Sequence, residues 1–240
     1  MLYMAKYTDQ GGRRSNEDSY GIFAKGNELC AIVADGLGSY GGGEIASKMA
    51  VDMLRDYYMS AHQISQNGIE NCFTQINQAI YGMQTEQCKM KTTVAVLFAS
   101  GSQCVWAHVG DTRIYHFVDK RLKDMTLDHS LPQMAVFKGE IQQSEIRHHK
   151  DRNKLLRAMG YRNPVQVDVS SVEDVSIGDH AFLLCTDGFW EYVEEKDMIE
   201  TLERAQNPVQ WINDMAGILQ SRVDGKNDNN TAVAIWVKNN

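Results

Sequence analysis

Seven short runs of the chain, 29–34, 92–99, 104–109, 113–118, 165–172, 180–185 and 231–237, are strand-like, and several of them are apolar on both faces. A strand with no polar face cannot lie in a sheet that is wet on one side; it belongs in the middle of a layered structure, covered above and below. Helices must supply part of that cover. Residues 43–59 carry Ile45, Met49, Val51, Met53, Leu54 and Tyr58 at roughly helical spacing, and 69–83 repeats the pattern through Phe73, Ile76 and Ile80. A second helix pair, near 195–204 and 208–222, precedes the last strand. The order strands, two helices, strands, two helices, strand does not alternate as βαβ units do, so it predicts an α+β layered sandwich.

The 240 residues suit one unit of this kind, and only three prolines argue against long linkers. Between 126 and 164 the pattern turns polar and irregular, with a short helical piece expected around 155–159. A formal net charge of −7 argues against a general nucleic-acid binder, which needs a basic surface to displace phosphate counterions. No apolar stretch approaches the about eighteen residues of a membrane span, and the first ten residues lack a signal-peptide core. The five cysteines are odd in number, contain no CxxC pair and read as buried small hydrophobes. A cytoplasmic setting is the expectation.

Two of the apolar runs end in the same way: Asp35-Gly36 follows CAIVA, and Asp187-Gly188 follows AFLLCT. A carboxylate at the end of a buried strand is costly to desolvate unless something pairs with it, and a divalent cation is a strong partner. Glycine beside it lets backbone approach a ligand closely. Glu17-Asp18 after GGRRSN, Asp228 just before the last strand and Asp111 after AHVG lie in similar turn contexts. Each alone reads as an ordinary turn residue; together they suggest an all-oxygen site suited to Mg²⁺ or Mn²⁺. Zinc would want histidine or cysteine at metal-binding spacing; the seven histidines show no such spacing and read as exposed polar residues. Residues 36–41 satisfy G-x-G-x-x-G, but the acidic partner of a dinucleotide fold would be Asp56, inside a helical pattern, and Asp35 would repel a pyrophosphate.

A set of motifs in fixed order completes the reading. Arg13-x-x-Asn16-Glu17-Asp18, Val33-Ala34-Asp35-Gly36, Gly43-Glu44-Ile45-Ala46-Ser47, Met90-x-Thr92-Thr93, His108-Val109-Gly110-Asp111-Thr112-Arg113, Thr126-x-Asp128-His129-Ser130, Arg157-Ala158-Met159-Gly160, Thr186-Asp187-Gly188 and Asp228-Asn229-x-Thr231 span nearly the whole chain. In this order they resemble the bacterial metal-dependent serine/threonine protein phosphatases of type 2C. The resemblance implies a four-layer αββα sandwich, two antiparallel sheets flanked by helix pairs, as a single catalytic domain over 1–240 with a flap at about 126–157. It implies two core ions, Mn²⁺ or Mg²⁺, held by Glu17, Asp35, the Gly36 carbonyl, Asp187 and Asp228, with Asp18 in the outer shell through water. Asp111, with Asp187, would help bind a third, weaker ion.

By the same resemblance Arg13 is the phosphate-binding arginine, its planar fork suited to two phosphoryl oxygens; a surface salt bridge is its plainer role, and Arg14 is expected to have only that one. Arg13, Asp35 and Asp187 are the expected catalytic residues. No Ser, Cys or His stands where the family places a covalent nucleophile, so a water activated between two cations is expected to attack phosphorus directly. Leu37 stands where many eukaryotic members have a histidine, so protonation of the leaving oxygen is expected to come from water. His129, Arg147 and Arg157 border the flap, with loop-stabilising roles as the alternative to substrate contact. The expected substrates are phosphorylated proteins, among them a serine/threonine kinase and its targets, with the enzyme a monomer that binds neither nucleic acid nor membrane. The rival reading is a catalytically silent phosphatase-like scaffold that binds a phosphoprotein, and the intact acidic set speaks against it.

Overall fold

A computed structural model describes residues 1–38 and 41–238; Ser39 and Tyr40 of the glycine-rich run lie outside the described residues. The chain opens with strands β1 (Leu2–Asp9), β2 (Ser19–Lys25), β3 (Glu28–Ala34) and β4 (Gly36–Gly38), then helices α1 (Gly42–Ser60) and α2 (Gln66–Met83). Strands β5 (Met90–Thr92), β6 (Val94–Ser100), β7 (Gln103–Val109), β8 (Arg113–Val118) and β9 (Arg121–Met125) follow. Helix α3 (Leu131–Phe137), a 3-10 turn (Gln143–His148) and the short strands β10 (Asp168–Val169) and β11 (Glu173–Asp174) occupy the irregular region. The chain closes with β12 (His180–Cys185), α4 (Asp187–Trp190), α5 (Glu195–Arg204), α6 (Pro208–Arg222) and β13 (Asn230–Val237).

Two antiparallel sheets form the middle, ordered β1-β13-β12-β8-β9 and β10-β7-β6-β3-β2. The doubly apolar strands now have their reason. On β3, Cys30, Ile32 and Ala34 turn to the core shared with α1 and α2, while Leu29, Ala31 and Val33 turn to the core between the sheets. On β13, Ala232, Ala234 and Trp236 face α5 and α6, while Val233, Ile235 and Val237 face inward. Three apolar cores separate four layers, the αββα sandwich expected from the sequence. Cys30, Cys72, Cys104 and Cys185 are buried among them.

Three sequence expectations need correction. Run 165–172 is not a continuous strand: only Asp168 and Val169 pair with β7, and the apolar alternation of Val165, Val167 and Val169 reflects packing against the α1/α2 core. Residues 155–159 form no helix, because Leu155 and Met159 instead make isolated antiparallel bridges to Ser130 and Thr92. Run 92–99 breaks at Thr93, whose N–H leaves the ladder to bond the Asp35 carbonyl at 2.9 Å, so β5 pairs with β4 and β6 with β3.

A carboxylate-rich candidate metal centre

Register gathers the acidic turns at one end of the sandwich. Ser19 pairs with Ala34, which sets Asp18 beside Asp35; Asp9 pairs with Asn230 and Cys185 with Ala232, which brings the Arg13 loop, Asp187 and Asp228 to the same rim. Asn229, 6% exposed, locks the rim: its side chain accepts from the Glu17 N–H at 2.8 Å and donates to the carbonyls of Gln10 at 2.7 Å and Ser15 at 2.9 Å. The glycine after each aspartate proves necessary for a different contact than the sequence suggested. A Cβ on Gly36 would lie 2.2 Å from the Gly43 carbonyl oxygen, and one on Gly188 would lie 2.0 Å from that of Asn229. The close approach is of chain to chain, which is what lets four turns crowd around one cavity.

That cavity, about 330 Å³, is lined by residues that include Arg13, Glu17, Asp35, Gly36, Leu37 and Asp228. Arg13 lies on its rim, where Nε donates to Asp228 Oδ1 at 2.7 Å and Nη2 donates to Oδ2. Behind lies Asp18, whose Oδ2 accepts from the Thr186 hydroxyl at 3.0 Å while its Oδ1 is buried without a partner. Asp187 Oδ1 is likewise buried and unpartnered.

Burial, then the charges of Asp187, Asp18, Asp111 and Asp228, pushes the Asp35 carboxyl well above the usual range. Asp187 is pushed well above it by burial and by Asp111, Glu191 and Asp228. Asp18 is raised to about 7, first by burial, although hydrogen bonds from Thr231 and Thr186 oppose the rise. Asp111 is also raised to about 7, by burial and then by Asp128. Among the described residues no lysine or arginine bonds Asp18, Asp35, Asp111 or Asp187. Orphaned carboxylate oxygens that repel one another and have no protein cation fit hard divalent ions. Among the described residues these carboxylates do not bring three oxygens within 4.8 Å of one another.

The histidines depart from expectation. His108, His116, His129 and His180 are buried, in two stacked pairs. Their positions inside apolar strands (β7, β8, β12) or against them explain it. His108, His129 and Asp168 bring potential ligand atoms within 4.8 Å, yet hydrogen bonding engages them otherwise. His129 Nδ1 accepts from the Gly110 N–H at 3.0 Å, so its Nε2 carries the proton, facing Asp168 Oδ2 at 3.2 Å, and His108 Nε2 contacts the Leu127 carbonyl at 2.9 Å. Arg157, 2.9 Å from Asp168 Oδ1, adds a positive charge beside them. His129, Arg157 and Arg147, which bonds Glu195 and the Trp190 carbonyl, thus tie the 126–157 segment to the sandwich.

Sequence reasoning missed Glu191, whose charge raises Asp187 and which pairs with Arg152 at 2.7 Å, and it gave no role to Trp190 or Asn229. Only the motif context of Asn229, next to Asp228, offered a signal.

Comparison with known proteins agrees with the fold. The sequence profile described as Protein phosphatase 2C matches residues 11–222. The serine/threonine phosphatase stp of Listeria monocytogenes is 34% identical over 207 residues, covering 82% of this chain and 81% of the relative. The crystal structure of serine/threonine phosphatase Stp1 from Staphylococcus aureus superposes with a TM-score of 0.87 at 28% identity, covering 99% of this chain and 96% of that one. The catalytic domain of the phosphatase PstP, solved in complex with 2 manganese ions, shares the fold with a TM-score of 0.81 at 24% identity, covering 99% of each chain. With the profile matched along most of its length, its motifs in order and its acidic turns gathered at one rim, this chain belongs to the protein phosphatase 2C family.

Proposed function

We propose that the carboxylate cavity is where this enzyme, a single catalytic domain over 1–240 with a flap at 126–157, hydrolyses phosphoserine and phosphothreonine in proteins. The observation that carries the reading is the pair of buried, unpartnered oxygens on Asp18 and Asp187, set among raised carboxyls without a protein cation. Glu17, Asp35, the Gly36 carbonyl, Asp187 and Asp228 would hold two Mn²⁺ or Mg²⁺ ions, Asp18 would act through water, and Asp111 with Asp187 would hold a weaker third. When bound, such ions acidify water towards a pKa of about 7 and offset the charge on the phosphoryl group in flight.

The chain's own part is positioning. Asn229 fixes the Glu17 backbone, and the Thr93 N–H fixes the Asp35 carbonyl, so the carboxylates cannot relax apart. Arg13 stands at the mouth with its fork on Asp228, from which it turns to two phosphoryl oxygens when substrate enters. Leu37 lines the cavity where an imidazole would be an acid, and His108 and His129 are turned into their own hydrogen bonds. Water therefore protonates the leaving serine or threonine oxygen. The substrates proposed are phosphorylated proteins, including a serine/threonine kinase and its targets, met by a monomer in the cytoplasm; no helix among the described residues is long and apolar enough to cross a membrane.

Hydrolysis of p-nitrophenyl phosphate and of a phosphothreonine peptide tests this, with Mn²⁺, with EDTA and with Asp187→Asn. Phosphate release that needs Mn²⁺ and is lost in the variant is expected. A folded, Mn²⁺-loaded wild type that binds the peptide without turnover would replace the enzyme with the silent scaffold.

A further inference from the structure

Trp190 stands three residues after Asp187, at the end of α4, and is 1% exposed. Its indole N–H donates to the carbonyl of Asp111 at 2.9 Å, so one ring joins the turn that carries Asp187 to the turn that carries Asp111. The ring is clamped. The Arg113 guanidinium lies 3.5 Å from its centroid, and Arg113 is fixed in turn by both oxygens of Asp128, at 2.7 and 2.8 Å, and by the Tyr115 hydroxyl at 3.0 Å. The backbone of the same residue is held as well: Arg147 donates to the Trp190 carbonyl while its second nitrogen grips Glu195 at 2.9 and 2.7 Å.

This network is larger than core filling requires. A buried ring needs apolar neighbours, not two arginines with their own carboxylates, and buried ion pairs commonly fix geometry rather than add stability. What the geometry fixes here is the distance between two carboxylates that repel each other, since Asp111 is the foremost charge raising Asp187. Left alone, that repulsion would drive the two turns apart.

We infer that Trp190 is a positioning residue: its indole N–H, with the ring held by Arg113 and the backbone by Arg147, holds Asp111 against Asp187 and so sets the affinity of the ion those two carboxylates share. The inference rests on reading Asp111 and Asp187 as ligands of the weaker third ion. Outer partners of metal ligands typically change affinity by about 10- to 100-fold, and a single neutral hydrogen bond belongs at the lower end.

Two measurements on the full chain test it. In wild type with ¹⁵N-labelled tryptophan, Mg²⁺ is added while the indole N–H signals are followed; the Trp190 signal is expected to shift with the weakest phase of ion uptake, and those of Trp106, Trp211 and Trp236 to stay. In Trp190→Phe, which keeps an aromatic ring and removes the donor, Mn²⁺ binding counted by electron paramagnetic resonance is expected to show the weakest class of site roughly tenfold weaker and the tighter class within twofold of wild type. A Trp190 signal that stays still while the weak site fills, or unchanged Mn²⁺ binding in a folded Trp190→Phe, overturns the inference and reduces Trp190 to packing. If the variant does not fold, the wild-type titration decides alone. Wild type that takes up no ion at all would instead sink the metal reading itself.

Discussion

Asp128 and Asp187 are both acidic residues set against the ends of the same sandwich, and the protein treats them in opposite ways. Asp128, 4% exposed, receives a two-pronged Arg113 that is itself buried. Among the described residues Asp187 receives no cation from the chain and keeps one oxygen with no partner. Asp111 lies between the two regions, raised by burial and then by Asp128 and relieved in part by Arg113. Where the fold needs a fixed joint, the sequence encodes both charges. On the proposed reading, where it needs an exchangeable ion it encodes one and leaves the other to solution.

Removing one carboxylate from each region should separate the two kinds most sharply. Asp187→Asn is expected to reduce hydrolysis of a phosphothreonine peptide by on the order of a thousandfold, the several kcal/mol that charge stabilisation by an ion supplies. The same change should raise the melting temperature of EDTA-treated protein, because a carboxyl that the fold keeps protonated against burial and its neighbours' charges is gone. Asp128→Asn should do the reverse to stability, stranding Arg113 at a cost of about 3–5 kcal/mol and lowering the melting temperature by roughly 10 °C. Equal melting temperatures for the two variants in EDTA would erase the distinction drawn here.

Acidity gives a second way to sharpen it. In the fold Asp18 and Asp111 hold protons up to about pH 7 that the unfolded chain has released by about pH 4, so the EDTA-treated protein should lose stability as pH rises through that window. Mn²⁺ at about a hundred times its dissociation constant should restore about 2.7 kcal/mol at pH 7.5. Buried His116 works in the other direction. Burial, then His180, lowers it to about 4, so the unfolded chain takes a proton first as pH falls below about 6.5. With Mn²⁺ saturating, about 3 kcal/mol of stability should disappear between pH 6.5 and 4 and be largely retained in His116→Phe, as chemical denaturation at the two ends would record. The smallest effect belongs to the exposed rim: Arg13→Ala should raise KM for the phosphopeptide roughly tenfold, whereas Arg14→Ala should leave it within about twofold.

How much of this could be read from the chain depended on whether a residue's fate is set by its neighbours in sequence or in space. Strands β3, β6, β12 and β13 were legible because two covered faces leave no polar positions. Strand β1 was not, since its edge position leaves most of its side chains partly or fully exposed. Helix α3 escaped notice because Leu131, Met134 and Phe137 point their apolar side outward, although Ser130 caps it and Pro132 opens it as start signals should. Asp35 and Asp187 declared themselves through the Asp-Gly pair. Trp190 and Glu191 did not, because their contacts with Asp111 and Arg152 join residues far apart in the chain.

The pairing of β1 with β13 has a consequence for handling the protein. The two strands run antiparallel over their full lengths, from Leu2 opposite Val237 to Asp9 opposite Asn230, and the Met1 amino group reaches the Lys238 carbonyl at 2.6 Å. Residues 1 and 238 therefore adjoin each other at the pole away from Arg13 and Asp228, about 25 Å of strand from the cavity. A fluorescent label attached at residue 1 or 238 would therefore sit clear of the cavity mouth and report on this edge of the sandwich without blocking substrate entry.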